Sequence, residues 1–448
     1  MQVMRGARVI IAGAGLAGLT AAHELAVAGA AVTVIDARDY AGGRVRTVRA
    51  FPSSQHAELG GEFIEPDHKE MVGLCKQFAL PLVRVLRAGF THRFRDATGT
   101  YHVSRTAPWD ALSDALAPLV RRYKFAGGSS CADAVREMAT MSLSESLRRS
   151  KASAHVQPMS KALRGFFLAD PDEISVLPVV EQIAKGGSPA QVEFLRIQGG
   201  NDRLVDALIR ATPARLLLGH SIRAVVQAVD RITLTVVDAS GLTQQIEGDY
   251  LVMTLPASTL RDVEIRPALP DDQQHAIARL AYGRATKVLL QSSDDLFGDR
   301  HARAFATDGR LGAFWHASEE QSGGASIIAF LAGGSASAPL RDAATDGAGT
   351  LLADLCWLRM NGAPITAVHI GDWTADPWAR GGYAFLDPAF DPAWRLLLAR
   401  RAGRIVFAGE HTSERWQGYM NGAVESGQRA ARDIEMMKLM ADLPSAPA

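Results

Sequence analysis

The sequence of 448 residues lacks an excess of charge of either sign. Its 48 lysines and arginines are matched by 48 aspartates and glutamates, so the formal net charge is zero. Proteins that bind nucleic acid normally carry a basic excess or a basic run, and neither is present here. We therefore expect no nucleic-acid partner. The 47% of hydrophobic and 21% of charged residues are instead typical of a globular chain, which at this length predicts two or three domains.

Cysteine is scarce and long apolar runs are missing. The three cysteines, Cys75, Cys131 and Cys356, lie far apart and form no CxxC pair. This spacing argues against a disulfide scaffold or a zinc module and fits a reducing compartment. The twelve histidines form no cluster typical of a metal site. No stretch reaches the roughly 20 apolar residues that cross a bilayer. We therefore predict a cytoplasmic protein with no metal and no membrane anchor.

A strand, a glycine-rich turn, a helix and a second strand fill the first 36 residues. The strand RVIIA precedes Gly13, Gly15 and Gly18, and the helix LTAAHELAVAG leads to the strand AVTVID, which ends on Asp36. In a dinucleotide site the first glycine permits a tight turn and the second lets the backbone approach a pyrophosphate. The third allows the helix to pack closely on the strand, and a carboxylate about 20 residues further on accepts from a ribose. The pattern predicts a dinucleotide-binding unit.

This unit by itself does not choose between NAD and FAD. A second glycine pair, Gly42 and Gly43, follows the ribose acid and leads directly to Arg44. A guanidinium at this point can meet the pyrophosphate from the other side.

The rest of the chain divides into helical and strand-rich stretches. Residues from about 69 to 160 have mostly helical periodicity. Short strands are expected between 191 and 260, after a helix at GGNDRLVDALIRA. The later pattern predicts strands at KVLLQ, SIIAFLAG and RIVFAGE, and helices at TLLADLCWLRM and NGAVESGQRAARDIEMM.

Seven motifs then follow one another between residues 8 and 435. They are GAGLAGL at 13–19, DARDYAGGRVRT at 36–47, ELGGEFI at 58–64, GGNDRL at 199–204, Lys287, GDWTADPWARGGYAF at 371–385 and FAGEHTSERWQGYMNGAVESG at 407–427. In this order they resemble the flavin-dependent amine oxidases, the family of monoamine oxidases, polyamine oxidases and L-amino-acid oxidases.

The resemblance implies an α/β fold with two discontinuous domains. A Rossmann-like FAD-binding domain of the GR2 type would comprise residues 1–74, 196–276 and 384–440. An α+β substrate-binding domain, a mixed sheet flanked by helices, would comprise residues 75–195 and 277–383. Residues 441–448 would form a frayed tail.

The resemblance also implies FAD as the cofactor. Asp36 and Arg44 would hold the ADP half with the first glycines, Ile222 would offer backbone groups to the adenine, and Glu410 would serve the ribityl or pyrophosphate side. Gly60 and Gly61 would pass the flavin ring, the Met420 N–H would lie at its pyrimidine edge, and Trp373 would pack nearby. The full predicted set is Gly13, Gly15, Leu16, Ala17, Gly18, Asp36, Ala37, Arg38, Gly43, Arg44, Gly60, Gly61, Glu62, Ile222, Trp373, Gly409, Glu410, Gly418, Tyr419, Met420 and Ala423.

One position departs from part of the family. Covalent members have a cysteine immediately before the tyrosine of the GxY motif, where this sequence has Gly382. No other cysteine lies nearby in the sequence, and a thioether requires a sulfur. We therefore predict that FAD is bound non-covalently.

The reaction implied by the resemblance is the oxidation of an amine. A hydride passes from the carbon next to nitrogen to flavin N5, water hydrolyses the imine, and O2 reoxidises the flavin to give H2O2. Lys287 would hydrogen-bond through water to N5, Tyr383 and Tyr419 would flank the amine, and Trp416 would replace or extend that aromatic wall. The partners would be a small-molecule amine and O2, in a monomer or homodimer.

Two questions stay open at this point. Glu62 and Glu65 could face the second ammonium of a polyamine, but solvated loop charges are the favoured interpretation. A flavin desaturase or isomerase of the same fold, acting on a non-amine substrate, is the alternative function.

Overall fold

A computed structural model of the chain describes residues 3–96, 98–104, 107–150, 156–185, 193–297, 304–358 and 362–442. In these residues the strands are β1 (Arg8–Ala12), β2 (Ala31–Ile35), β3 (Thr47–Val48), β4 (Ala57–Glu58), β5 (Leu82–Val85), β6 (Phe90–Arg95), β7 (Tyr101–Ser104), β8 (Phe194–Ile197), β9 (Ala214–Leu217), β10 (His220–Gln227), β11 (Ile232–Asp238), β12 (Thr243–Gly248), β13 (Tyr250–Met253), β14 (Glu264–Arg266), β15 (Ala281–Tyr282), β16 (Ala285–Ser292), β17 (Ala304–Thr307), β18 (Ala313–His316), β19 (Ser326–Gly333), β20 (Ile365–Asp372), β21 (Ala384–Phe385) and β22 (Ile405–Phe407).

The α-helices of the same residues follow in chain order. They are α1 (Leu16–Val27), α2 (Lys69–Gln77), α3 (Ala107–Phe125), α4 (Asp133–Ala139), α5 (Leu143–Arg149), α6 (Val156–Ser160), α7 (Arg164–Phe167), α8 (Val176–Lys185), α9 (Asp202–Ala211), α10 (Ala257–Leu260), α11 (Asp271–Arg279), α12 (Ser337–Asp346), α13 (Ala348–Ala353), α14 (Arg395–Ala399) and α15 (Met420–Asp442). No helix in these described ranges is long and apolar enough to span a bilayer.

A parallel sheet in the order β22-β13-β1-β2-β9 carries the glycine-rich turn that follows β1. Its central strand β1 pairs in parallel with both β13 and β2, and its residues from Val9 to Ala12 are buried. A strand covered on both faces needs apolar residues at successive positions, which is what the run VIIA supplies. Helices α1 and α15 pack together beside this sheet. The predicted α/β class is confirmed.

A mixed sheet in the order β20-β16-β19-β18-β17-β6-β7 forms the second large layer. All of its neighbouring strands are antiparallel except β6 and β17. Every residue of β16 is buried, so Lys287, in the middle of this strand, lies inside the molecule. The helices α12 and α13 cover part of this sheet through a separate apolar cluster.

Four smaller sheets complete the framework of the described residues, and two of them position residues discussed below. One has the order β12-β11-β10-β14, and the pairing of β10 with β11 shifts between Ile222 and Ala224. Such a bulge re-aims the backbone and the side chains beside it. The other is the short pair of β5 and β8, which brings Arg196 opposite Val83.

Three sequence-based expectations about secondary structure were incomplete. The stretch 69–160 is not mostly helical throughout, because β5, β6 and β7 lie between α2 and α3. Strand β6 has no alternation of buried and exposed residues, because its first three residues are all buried. The helix expected at 350–360 ends at Ala353. Helix α15 continues to Asp442, and the rest of the predicted frayed tail lies outside the described residues.

Candidate active site

The turn between β1 and α1 meets the three predicted glycine requirements. Gly13 has φ +113°, which favours glycine. A Cβ on Gly18 would collide with the carbonyl oxygen of Gly13 and lie 3.1 Å from Cγ2 of Ile11. By contrast, no atom lies within 4 Å of the position that a Cβ on Gly15 would take. The chain therefore packs tightly at the third glycine and leaves open space at the second.

The carboxylate of Asp36 is held beside this turn. Its Oδ2 accepts from the Ala14 N–H at 2.7 Å, and its Oδ1 accepts from the Arg38 N–H at 2.9 Å. Burial raises the pKa of Asp36. The guanidinium of Arg38 donates in turn to Asp376 at 2.7 Å, so both predicted residues are fixed at the wall of one cavity.

An ion pair connects the first part of the chain to its last part. Nη1 of Arg44 donates to Oε1 of Glu410 at 2.9 Å and to the Gly382 carbonyl at 2.7 Å. Glu410 also accepts from the N–H of Gly418 at 2.7 Å and of Ala384 at 3.3 Å. This one carboxylate therefore connects the early motif at 36–47 with the two late motifs at 371–385 and 407–427.

A first cavity of about 350 Å³ runs from the glycine turn to Lys287 and Tyr383. Nineteen of the twenty-one predicted cofactor residues line it: Gly13, Gly15, Leu16, Ala17, Asp36, Ala37, Arg38, Gly43, Arg44, Gly60, Gly61, Ile222, Trp373, Gly409, Glu410, Gly418, Tyr419, Met420 and Ala423. The other two are not on this wall, because Gly18 packs behind the turn and Glu62 lines the neighbouring cavity. Trp373 also donates from Nε1 to the Leu59 carbonyl at 3.0 Å.

The residues of the first cavity fit an extended dinucleotide. The open space at Gly15 lies at the N-terminus of a twelve-residue helix, where free N–H groups favour a phosphate. Asp36 offers a ribose acceptor and Arg44 a cation on the same wall. None of the three cysteines lines this cavity, so the wall offers no thiol to which a flavin could be tethered.

A second cavity of about 350 Å³ adjoins the first, and aromatic residues form about a third of its lining. Its aromatic lining residues are Phe63, Phe90, His92, Trp109, Phe166, Phe167, Phe194, Trp315, Tyr383, Phe385 and Tyr419. The two cavities share the residues Gly60, Gly61, Lys287, Leu331, Tyr383, Gly418, Tyr419 and Met420. We call this shared set the junction; it is the point at which a group bound in one cavity can meet a group bound in the other.

The two predicted tyrosines both lie at the junction. The hydroxyl of Tyr383 donates to the Phe166 carbonyl, and burial raises the pKa of both Tyr383 and Tyr419. Both phenols are therefore neutral across the physiological range. Trp416 does not line either cavity. It packs edge-on behind Tyr419, with ring centroids 5.9 Å apart, so the structure does not place it on the aromatic wall as predicted.

Lys287 reaches the junction and forms a buried ion pair there. Its Nζ donates to Oε2 of Glu62 at 2.5 Å and to the Gly60 carbonyl at 3.2 Å. Glu62 is only 5% exposed, so its interpretation as a solvated loop charge is wrong. Its Oε1 accepts from Arg196 at 2.7 Å and from the indole N–H of Trp315 at 3.0 Å.

Glu65 has a different environment from Glu62. It is half-buried on the wall of the second cavity, and burial, followed by the neighbouring charge of Asp67, raises its pKa to about 7. Within the described ranges, Glu65, Asp67 and His68 have potential ligand atoms within 4.8 Å of one another, a grouping that the sequence did not predict. Nδ1 of His68 already accepts from the Glu65 N–H, and its ring packs on Trp416, which is a structural role.

Most residues of the second cavity could not be named from the sequence. More than half of its lining residues lie between 63 and 194 or between 313 and 331, and apart from Phe63 in ELGGEFI these belong to no family motif. Aromatic residues in such stretches are indistinguishable from core residues by spacing. Arg93, Arg95 and Arg164 line neither cavity, and Arg164 instead donates to Ser335 and to backbone carbonyls.

Comparison with known proteins agrees with this geometry. The family model described as flavin containing amine oxidoreductase matches residues 16–435. The L-amino-acid oxidase of Vipera ammodytes ammodytes is 26% identical over 455 residues, which cover 95% of this chain and 92% of that protein.

Two solved structures have the same fold. Cyclohexylamine oxidase from Brevibacterium oxydans IH-35A superposes with a TM-score of 0.84 at 20% identity, covering 96% of this chain and 99% of that one. Wild-type putrescine oxidase bound to putrescine superposes with a TM-score of 0.82 at 19% identity, covering 96% and 98%.

Proposed function

The chain belongs to the family of flavin-containing amine oxidoreductases, and from this premise we propose that it oxidises primary amines that carry an apolar, ring-sized group. FAD-dependent oxidation of an amine is the activity of the family, and the desaturase or isomerase alternative is not favoured. When bound, FAD accepts a hydride equivalent from the carbon next to nitrogen and passes electrons on to O2. The chain's own residues orient the amine and keep water away from it.

The observation that carries the proposal is the aromatic wall of the second cavity. Eight phenylalanine and tryptophan side chains from seven separate segments line this one space: Phe63, Phe90, Trp109, Phe166, Phe167, Phe194, Trp315 and Phe385. Apolar area removed from water contributes about 25 cal/mol per Å² to binding, so such a wall selects a hydrocarbon ring over a polar chain. Tyr383 and Tyr419 would then flank the nitrogen at the junction, with neutral rings that attract a cationic amine.

A diamine is the second candidate, and Glu65 is the observation that favours it. Its carboxyl lies on the wall of the same cavity, and an ammonium beside it would draw it into the ionised form despite burial. A diamine would then extend from the junction to Glu65.

A panel of amines separates the two candidates. The purified yellow protein is mixed under nitrogen with benzylamine, 2-phenylethylamine, cyclohexylamine, putrescine or L-phenylalanine, and bleaching at 450 nm is followed. We expect the first three amines to bleach the flavin fastest. Fastest bleaching by putrescine would replace the first candidate with the second, and a flavin inert to the whole panel would refute both.

Two matched variants locate the recognition. Glu65→Gln should raise the KM for putrescine at least tenfold and leave benzylamine unchanged if the carboxyl binds a second ammonium. Glu414→Gln, which alters another acid on the same wall, should change neither. Equal effects of both variants would remove Glu65 from substrate recognition.

The proposal includes several finer points. The nineteen residues that line the first cavity would hold FAD, and the two domains would have the boundaries 1–74, 196–276 and 384–440 against 75–195 and 277–383. Peroxide would be the product released to solution, detectable by a peroxidase-coupled assay under air. A cytoplasmic location and a monomeric or homodimeric state complete it, and cell fractionation and gel filtration with light scattering test them.

A further inference from the structure

One buried carboxylate collects donors from three separate strands. Lys287 lies on β16, Trp315 on β18 and Arg196 on β8, and all three donate to Glu62. Both carboxylate oxygens of Glu62 therefore accept hydrogen bonds, and the residue is less than one tenth exposed. A carboxylate with three fixed donors has one orientation, so it can act as a rigid anchor for whichever donor is otherwise mobile.

The mobile donor is Lys287. A lysine side chain has four rotatable bonds and loses considerable freedom when it is fixed. Arg196 is held independently by Glu320 through its other terminal nitrogen, and the indole of Trp315 is fixed by packing in a buried cluster. Among the described residues, the ammonium of Lys287 has Glu62 and the Gly60 carbonyl as hydrogen-bond acceptors and lies 5.1 Å from the centroid of the Trp315 ring. Two acceptors leave one of its three N–H groups for a group at the junction.

We propose that Glu62 is the positioning residue of Lys287: it fixes the ammonium at the junction of the two cavities, and Arg196 and Trp315 fix Glu62 in turn. Glu62 itself lines only the second cavity, whereas Lys287 lines both. Glu62 therefore acts through the lysine and not as a ligand of the dinucleotide, which differs from its predicted role.

The charges of this group balance, and this gives a test without any substrate. Lys287 and Arg196 are paired with Glu62 and Glu320, while burial raises the pKa of the nearby Glu58 to about 7. Glu62→Gln leaves one buried cation unpaired, and Lys287→Met leaves one carboxylate in excess. The double variant restores the balance through Arg196 and Glu320. In urea, the apoprotein of the double variant should therefore unfold at a higher concentration than that of Glu62→Gln.

The kinetic test uses dithionite-reduced holoenzyme mixed with oxygenated buffer, so it does not depend on the identity of the amine. Lys287→Met and Glu62→Gln should each slow reoxidation at 450 nm at least tenfold, and the double variant should be no slower than Lys287→Met alone. Glu320→Gln, which alters Arg196 without touching Lys287, should stay within twofold of wild type. The FAD content of Glu320→Gln, measured by absorbance, serves as the control for the folding of this variant.

The remaining outcomes overturn the proposal. One is a normal reoxidation rate in Glu62→Gln, and another is a slow rate in Glu62→Gln beside a normal rate in Lys287→Met. The others are additive losses of rate in the double variant and a slowing by Glu320→Gln equal to that by Glu62→Gln. If Glu62→Gln does not fold, Trp315→Phe replaces it. This variant keeps every charge and the aromatic wall but removes the indole donor to Glu62. We expect it to slow reoxidation about threefold in the wild-type protein and to have no effect when Lys287→Met is already present. An unchanged rate in Trp315→Phe would then refute the positioning role.

Discussion

Two glycines of the same turn should separate ligand binding from folding. Gly15 has φ −75° and ψ 177°, which alanine adopts freely, and open space surrounds its Cβ position. In Gly15→Ala the lost unfolded-state entropy stabilises by about 0.4–1 kcal/mol, and the poorer N-cap costs a similar amount. We therefore expect the unfolding free energy of the apoprotein to change by less than about 0.5 kcal/mol.

The same methyl group would occupy the space that we attribute to the pyrophosphate. It should remove at least one charge-assisted hydrogen bond from backbone to phosphate, worth about 1.5–3 kcal/mol. The Kd for FAD should therefore rise roughly 10- to 150-fold. Fluorescence titration of apoprotein with FAD measures this change, and urea unfolding of the same preparation measures stability.

Gly18→Ala should have the opposite pattern. Its Cβ would strike the backbone oxygen of Gly13, which cannot rotate away, and would lie 3.1 Å from a methyl group of Ile11. Overpacking of this kind costs about 1–3 kcal/mol, and we expect the upper end of that range here. The gain in helix propensity offsets about 0.5–1 kcal/mol of this cost. The unfolding free energy of the apoprotein should therefore fall by about 2 kcal/mol.

Gly73→Ala supplies the matched control. Gly73 is also inside a helix, with no atom within 4 Å of its Cβ position, so this variant should gain about 0.5–1 kcal/mol. Normal FAD affinity in Gly15→Ala would refute the assignment of that space to a phosphate. An apoprotein of Gly18→Ala as stable as that of Gly73→Ala would refute the packing argument.

Three further predictions follow from the site. Arg44→Gln leaves the buried carboxylate of Glu410 unpaired and should lower the unfolding free energy of the apoprotein in urea by about 3 kcal/mol. Arg8→Gln, at an exposed pair with Asp249, should lower it by about 0–1 kcal/mol. Equal losses would contradict the difference in burial. Because the folded-state pKa of Glu65 is raised to about 7, its ionisation opposes folding, and stability is lost as pH rises from about 4.5 to 7. Glu65→Gln should therefore be more stable than wild type at pH 8 and equal to it at pH 4; a difference that does not vary with pH would refute this. Acid precipitation should release all of the flavin into the supernatant, and yellow pellets would contradict non-covalent binding.

The glycine turn was predictable because its requirements are local. Gly13, Gly15 and Gly18 lie in one turn and the first residues of one helix, and Asp36 directly follows the next strand of the same sheet. The late motifs extended the prediction across the chain only because the family preserves them in order.

The ion-pair network could not be predicted in the same way. Glu62, Arg196 and Lys287 come from segments more than 90 residues apart in sequence, since 134 residues separate the first two and 225 separate Glu62 from Lys287. Nothing in the local pattern marks Arg196, which follows two apolar residues in a short strand. The three residues come together only because β8 pairs with β5 and β16 lies beneath the ELGG turn.

The separation of the two cavities has a consequence for how such proteins diverge. The wall of the first cavity is drawn mainly from residues 13–61, 220–263 and 373–423, whereas much of the other wall is drawn from residues 63–194 and 313–331. Apart from Leu331, which lines both cavities, and Trp315, which donates to Glu62, lining residues of the second set can therefore be substituted without altering the first wall. For protein engineering, the same division marks a library that can be randomised with little risk to flavin loading.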